Sequence, residues 1–158
     1  MVGISQGSQP LVSYHYGKED HAGCRKLLRY ALTTVSVLAP VLFVFIFLFA
    51  PQIVRTYLSH ASSELVEYSI HAFRRYSVSY LLVGFNIVIG GFLTALERPV
   101  PAISISVGRG LVLQSAVLLT LAAVFGGEAL WYTPILSEAM CLIMSLFFLR
   151  RYQRAYQS

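Results

Sequence analysis

Two charged residues stand inside stretches of the chain that are otherwise apolar, and they have the clearest capacity for chemistry. Glu138 lies in the stretch 129–149, ahead of Arg150, roughly 18 Å from the end of that stretch at 1.5 Å per residue. Arg109 lies in the stretch 101–127, after Pro101, roughly 12 Å from the same side. A carboxylate in the middle of a bilayer costs about 2.5–3.5 kcal/mol to insert, so it marks a candidate functional site.

Arg109 and Glu138 belong to consecutive stretches that form an antiparallel hairpin. Their depths differ by about 6 Å on this reckoning, a gap that an extended arginine side chain can cover. We therefore predict an Arg109–Glu138 pair or a shared polar cluster. Three interpretations stay open: a fixed salt bridge, proton or ion coupling through Glu138, or no contact with Arg109 reaching for the interface.

Asn86 is a third polar residue at membrane depth. It lies near the middle of the stretch 76–96, which also contains Gly84, Gly90 and Gly91. The glycines favour close helix packing. Asn86 is interpreted either as an interhelical hydrogen bond or as a polar contact for an ion or substrate.

Four apolar stretches must position these side chains, and they cover 27–50, 76–96, 101–127 and 129–149. A helix needs about 20 residues to cross a bilayer core. Hydrophobic residues make up 56% of the chain and charged residues only 12%, against roughly 25% charged residues in soluble domains. We predict an all-α polytopic membrane protein, a bundle of four transmembrane helices plus a partial N-terminal helix.

The basic residues predict the orientation of these helices. Nine Lys and Arg residues fall on one set of alternate junctions and three on the other. Because basic residues favour the cytoplasmic side, we expect the tail 150–158 in the cytoplasm. The lipid bilayer is then the first partner of the chain. The sequence shows no basic stripe with interleaved aromatic residues, the pattern typical of nucleic-acid binding, so we expect no nucleic-acid partner.

Two segments outside the apolar stretches carry further signals. Residues 1–17 contain three glycines and Pro10, which lacks a backbone donor; we expect either a loop or a partly unwound helix end that lines a path.

Residues 52–75 are amphipathic at helical spacing, and we predict an interfacial segment in which Ser62 is the N-cap. A helix that binds a partner is the alternative for this segment.

Several classes of function find no support in the sequence. Cys24 and Cys141 are separated by topology, and the four histidines are scattered, so we expect no metal site and no cofactor. The chain shows no nucleophile–base pair, paired carboxylates or phosphate loop, so we expect no enzyme.

The segments in their order resemble a known family. GISQGSQPLVSYHYG (Gly3–Gly17) is similar to the motif G-x-x-Q-G-x-Q-P-x-x-x-Y-x-Y-G at the end of the eighth helix of multidrug and toxic compound extrusion (MATE) transporters. The further matching segments are Arg25-Lys26, Ala72–Asn86, Phe92–Pro99, Ser104–Arg109, Trp131–Pro134 and Glu138.

The resemblance implies a transporter with twelve helices in two six-helix lobes, which exports cationic or amphipathic compounds against a sodium or proton gradient by alternating access. It places Gln6, Gln9 and Tyr14 at the cytoplasmic mouth of the central cavity. Together with Asn86, Arg109 and Glu138, these residues are the candidate substrate and ion path. The coupling ion, Na⁺ or H⁺, is expected in the full-length protein.

The chain departs from the family pattern in extent and in one site. It corresponds to the end of helix eight and helices nine to twelve, so we expect residues 1–158 to be a partial C-terminal lobe whose partner is the N-terminal lobe. The helix-ten equivalent carries Asn86 and no acid between Arg75 and Glu97. We expect an integral protein of a bacterial plasma membrane. The alternatives are a truncated, non-transporting membrane fragment and a lipid-linked sugar flippase of the related superfamily.

Overall fold

The structure is a computed structural model that describes residues 1–59 and 61–155, without the side chains of Glu128 and Ala155. Every regular element in these ranges is helical. The elements are α1 (Val2–Gly17), α2 (His21–Tyr57), α3 (Ser63–Ser77), α4 (Tyr80–Ala95), α5 (Pro99–Val107), a π-helical segment (Gly108–Leu113), α6 (Gln114–Phe125), a 3₁₀ segment (Gly127–Tyr132) and α7 (Thr133–Ala155). The last three residues of the expected tail lie outside the described ranges.

Three helices reach the length and apolarity that a bilayer crossing requires. They are His21–Tyr57, Pro99–Phe125 and Ala129–Arg154. A fourth crossing results if Ser63–Ser77 and Tyr80–Ala95 are taken together, since they form one pair bent by 41°. The chain is therefore a helical membrane protein with three such helices, or four crossings if the bent pair is counted as one.

Helix α4 lies between α1 and α7, and all three run in the same direction. Ser5 Oγ donates to the carbonyl of Ile87, and Ser13 Oγ donates to that of Ala95, so the residue numbers of α1 and α4 rise together. On the other side of α4, the ring of Phe92 contacts that of Tyr152 toward the C-terminal ends of α4 and α7. Buried apolar residues of α4 form much of the core between these neighbours.

The continuous helix Pro99–Phe125 runs opposite to α7. Ser137, near the start of α7, donates to Gln114, whereas Cys141 further along contacts the carbonyl of Ile105. Residue numbers therefore fall along one helix as they rise along the other. Helix α2 follows α1 after a short turn, so it too reverses direction.

The predicted N-terminal helix is present, but the loop or unwound end expected over residues 1–17 is wrong, because α1 is one continuous helix from Val2 to Gly17 with Pro10 inside it. A proline removes one backbone donor and crowds one carbonyl, and the packing of α1 outweighs this local cost. Ser5 and Val12 are buried, and the serine hydroxyl adds its hydrogen bond to α4.

The amphipathic segment 52–75 is divided by the structure. Residues up to Tyr57 extend α2, and α3 begins only at Ser63. Ser62 caps α3, since its side chain accepts a hydrogen bond from the backbone N–H of Leu65 at 3.4 Å. The predicted N-cap is confirmed, and the corner between α2 and α3 is a feature that helical spacing did not predict.

Candidate functional site

Asn86, Arg109 and Glu138 meet between α4, the π-helical segment and α7. The three side chains come from three separate crossings, yet hydrogen bonds connect them into one polar cluster. Asn86 is 1% exposed, in the most deeply buried part of the bundle. The predicted contact between Arg109 and Glu138 is present, and it extends to the amide of Asn86.

Asn86 forms the closest contacts of the cluster. Its Nδ2 donates to the carboxylate Oε2 of Glu138 at 2.7 Å and to the backbone carbonyl of the same residue at 3.0 Å. The hydroxyl of Ser145 donates to Asn86 Oδ1 at 3.0 Å. An amide carries two N–H donors, and both are used here. Asn86 thus fixes the position of α7 on α4 and also solvates the carboxylate.

The ion pair is the looser part of the cluster. Arg109 Nη1 lies 3.5 Å from Glu138 Oε1, longer than the 2.7–2.9 Å of a strong charge-assisted hydrogen bond. The side chain of Arg109 is 34% exposed and that of Glu138 only 10%. Arg109 therefore closes the cluster on the side that is open to the surroundings.

The π-helical segment is the backbone feature that sets Arg109 apart. It begins at Gly108 and includes Gly110, so glycines flank the arginine on both sides. Single π turns inside α-helices occur often at functional sites. The two glycines were the signal in the sequence, and the prediction of a regular helix through this point missed it.

Helix α7 adds two residues that sequence reasoning did not select. Cys141 and Ser145 follow Glu138 at spacings of three and seven residues, which places all three side chains on one helix face. Both are buried, and Cys141 Sγ lies 4.0 Å from Ser145 Oγ. This polar spacing in an apolar helix was visible in the sequence and could have identified Ser145 as a member.

The other three candidate residues lie apart from the cluster, on α1. Gln6 and Tyr14 are exposed on the surface of the helix, Tyr14 at 57%. The ammonium group of Lys18 lies 4.3 Å from the centre of the Tyr14 ring. Gln9 is half-buried, and its Nε2 lies 3.5 Å from Ser5 Oγ. The candidate path is thus divided into a buried cluster and an exposed α1 surface.

The cluster has the composition for proton or cation exchange. A carboxylate oxygen can bind a proton or a hard cation, and here one oxygen faces the buried amide of Asn86 while the other faces the partly exposed guanidinium of Arg109. Within residues 1–59 and 61–155, no group of three His, Cys, Asp or Glu side chains has the arrangement of a metal site.

Comparison with known proteins gives one match. The family model described as MatE matches residues 1–118, a range that includes Asn86 and Arg109 and ends before Glu138. No curated protein and no solved structure matches the chain. The matched range covers most of the chain and agrees with its helical membrane architecture, and on this basis the chain belongs to the MatE family of transporters.

Proposed function

We propose that the chain is part of a cation-coupled efflux antiporter that exports cationic or amphipathic compounds by alternating access, with Na⁺ or H⁺ as the coupling ion. The observation that carries this proposal is the buried carboxylate of Glu138, held by Asn86 and paired loosely with Arg109. Membership of the MatE family supports the transporter role, and the carboxylate of Glu138 is a group that can bind the coupling ion.

In the proposed mechanism, Glu138 exchanges Arg109 for the coupling ion. A proton or Na⁺ at Oε1 neutralises the carboxylate and removes the attraction that holds the guanidinium in place. Arg109 is then free to move toward the open side, and the π-helical segment is the point where its helix can rearrange. Because Asn86 bonds both the carboxylate and the backbone of Glu138, a change at the carboxylate alters the contact between α4 and α7.

The exposed surface of α1 has a separate proposed role. Gln6, Gln9 and Tyr14 would line the substrate path where the chain faces the N-terminal lobe of the complete transporter. An aromatic ring and amide groups suit cationic and amphipathic compounds, since a cation over a tyrosine face gains about 0.5–2 kcal/mol. The Lys18 ammonium lies 4.3 Å from the centre of the Tyr14 ring, a contact of the kind that a cationic substrate would make there.

The test is transport by inverted membrane vesicles that contain the chain together with a complementary segment that supplies the N-terminal lobe, helix seven and the rest of helix eight. We expect uptake of a fluorescent cationic dye driven by a sodium or proton gradient, and its loss in Glu138→Gln. The matched control is Glu64→Gln, which neutralises an exposed carboxylate on α3 and is expected to transport normally.

Two outcomes would contradict the proposal. Gradient-driven uptake that persists in Glu138→Gln would remove the coupling role of this carboxylate. Absence of uptake with the chain and the complementary segment both present and folded would favour the non-transporting fragment instead.

A further inference from the structure

A cleft of about 850 Å³ opens at the corner where the end of α2 meets α3. Its lining combines charged and apolar residues from both helices. The residues that matter for its chemistry are Pro51, Arg55, Glu67, Ile70, His71 and Arg74. We call this feature the corner cleft, and it is remote from Asn86, Arg109 and Glu138.

In the corner cleft, Arg74 binds a backbone carbonyl that Pro51 leaves without its helical donor. Pro51 has no N–H, so the carbonyl of Phe47 four residues earlier loses its helical donor. Arg74 Nε supplies that donor at 3.3 Å, and its guanidinium lies 4.9 Å from the centre of the Phe47 ring. Among the described residues, the hydrogen bond of the Arg74 side chain is made through Nε, so both terminal nitrogens are available to another acceptor.

The charge of the corner cleft favours an anion. Arg55 and Arg74 both line it, against the single carboxylate of Glu67. Among the described side chains of residues 1–59 and 61–155, which exclude that of Glu128, no carboxylate lies within 4.0 Å of either guanidinium. Arginine presents several N–H donors in a planar fork, an arrangement suited to phosphate oxygens.

An exposed apolar stripe leads from the corner cleft along α2. Val37, Val41, Val44 and Leu48 are all exposed and recur at spacings of three and four residues, so they share one helix face. Pro51 and Arg55 each follow a member of this stripe by seven residues and continue the same face. The stripe is about 16 Å long at 1.5 Å per residue, a length comparable to that of a lipid acyl chain.

We propose that the corner cleft is a binding site for an anionic phospholipid. Arg55 and the preoriented Arg74 bind the phosphate, and an acyl chain lies along the stripe from Leu48 to Val37. The occupant is a lipid rather than a free phosphate ester because the stripe belongs to a crossing helix and continues directly into the cleft. The proposal holds for either orientation of the chain, since both leaflets expose phosphate groups.

The test measures lipid binding by the purified chain in phosphatidylcholine nanodiscs, titrated with a fluorescent phosphatidylglycerol. We expect Arg55→Gln to weaken phosphatidylglycerol binding about fivefold, since one basic residue near an anionic surface contributes about 1 kcal/mol. Arg75→Gln is the matched control, because Arg75 lies over the ring of Tyr132 and does not line the cleft.

Two further measurements keep the result interpretable. Fluorescence of Trp131, the single tryptophan of the chain, reports whether its hydrogen bond to Tyr68 on α3 persists in each variant. Soluble glycerol 3-phosphate is added as a competitor and is expected to displace the lipid poorly. Equal binding of phosphatidylglycerol by Arg55→Gln and wild type in folded samples would overturn the site. Displacement of the lipid by low concentrations of glycerol 3-phosphate would show that the acyl chain does not contribute to binding.

Discussion

Helix α4 contacts α7 through a network of polar side chains, and it contacts α1 through small residues and backbone carbonyls. On the α7 side, the amide of Asn86 binds the carboxylate of Glu138. On the α1 side, a Cβ added to Gly91 would collide with the hydroxyl of Ser5, and that hydroxyl donates to a backbone carbonyl. One helix thus combines a polar contact with a close-packed one.

The difference shows which contact can respond to an ion. A carboxylate and a guanidinium change their interaction when a proton or cation binds, whereas a serine hydroxyl on a carbonyl carries no charge to change. In a bilayer, small residues allow backbones to approach closely and give helices their main attraction. We therefore expect the α1 contact to hold α4 in place and the α7 contact to be the one that rearranges.

Loss of the carboxylate at position 138 should be the most damaging change at the α7 contact. Glu138→Ala removes one of the two acceptors that the N–H donors of Asn86 use, and it removes the carboxylate that pairs with Arg109. Breaking a buried pair costs about 3–5 kcal/mol, and we expect about 3 kcal/mol because Arg109 is partly exposed. Unfolding of the chain by sodium dodecyl sulfate in mixed micelles measures this loss.

The control for that variant is Glu138→Gln, which keeps an oxygen for Asn86 and should lose less stability than Glu138→Ala. If the two variants are equally unstable, the charge rather than the hydrogen bond to Asn86 holds the contact. If neither is destabilised, the cluster does not stabilise the α4–α7 contact, and the comparison fails.

Asn86→Ala should have the next largest effect. It removes both donors to Glu138 and the acceptor of Ser145, and an orphaned buried group costs about 1–3 kcal/mol; we expect about 2 kcal/mol. A double-mutant cycle with Ser145→Ala measures their coupling. Additive effects of the two substitutions would indicate that Asn86 and Ser145 act independently.

Much of the architecture follows from the sequence because apolar length and charge position are strong signals in a bilayer. The depths of Arg109 and Glu138 predicted their contact, and the cap at Ser62 followed from residue type alone. The pairing of Asn86 with Glu138 required knowledge of which faces of α4 and α7 meet, and spacing along each helix does not supply that.

The failures have a common physical cause. Pro10 suggested a break in residues 1–17, yet packing against α4 maintains the helix. The π turn around Arg109 and the corner after Tyr57 depend on how neighbouring helices fit, and the glycines that flank Arg109 mark only the first of these places in the sequence. Local signals therefore indicated where irregular backbone was possible, and tertiary contacts decided whether it occurred.

On the α1 side, Gly91→Ala should have a smaller effect than either change at the α7 contact. The new methyl group would displace the hydroxyl of Ser5 and the amide of Gln9, which weakens the hydrogen bond to Ile87. Overpacking costs about 1–3 kcal/mol, and we expect about 1 kcal/mol since a serine side chain can rotate. The control is Gly7→Ala on α1, where nothing lies within 4 Å of the added carbon, and equal losses in the same micelle assay would show that the α1 contact is not close-packed.

The smallest expected effect lies at the turn where α1 ends and α2 begins. Asp20 accepts a hydrogen bond from the backbone N–H of Gly23 at 2.8 Å and contacts His15 Nδ1 at 2.7 Å. These two interactions, the backbone one first, lower the pKa of Asp20 below its usual value of 3.8. A carboxylate whose pKa is lower in the folded chain adds stability above the ordinary pKa and loses it as the pH falls through the folded value.

We therefore expect Asp20→Asn to be slightly less stable than the wild type near neutral pH, with the difference disappearing below pH 3.8 as the wild-type carboxylate becomes protonated. Unfolding in detergent across a pH series measures the difference. Glu19→Gln makes the same charge change at the adjacent position, and Glu19 makes no side-chain contact with Gly23 or His15, so its difference from the wild type should not follow this pH dependence. A difference between Asp20→Asn and the wild type that stays constant with pH would show that the carboxylate does not hold the end of α1 against α2.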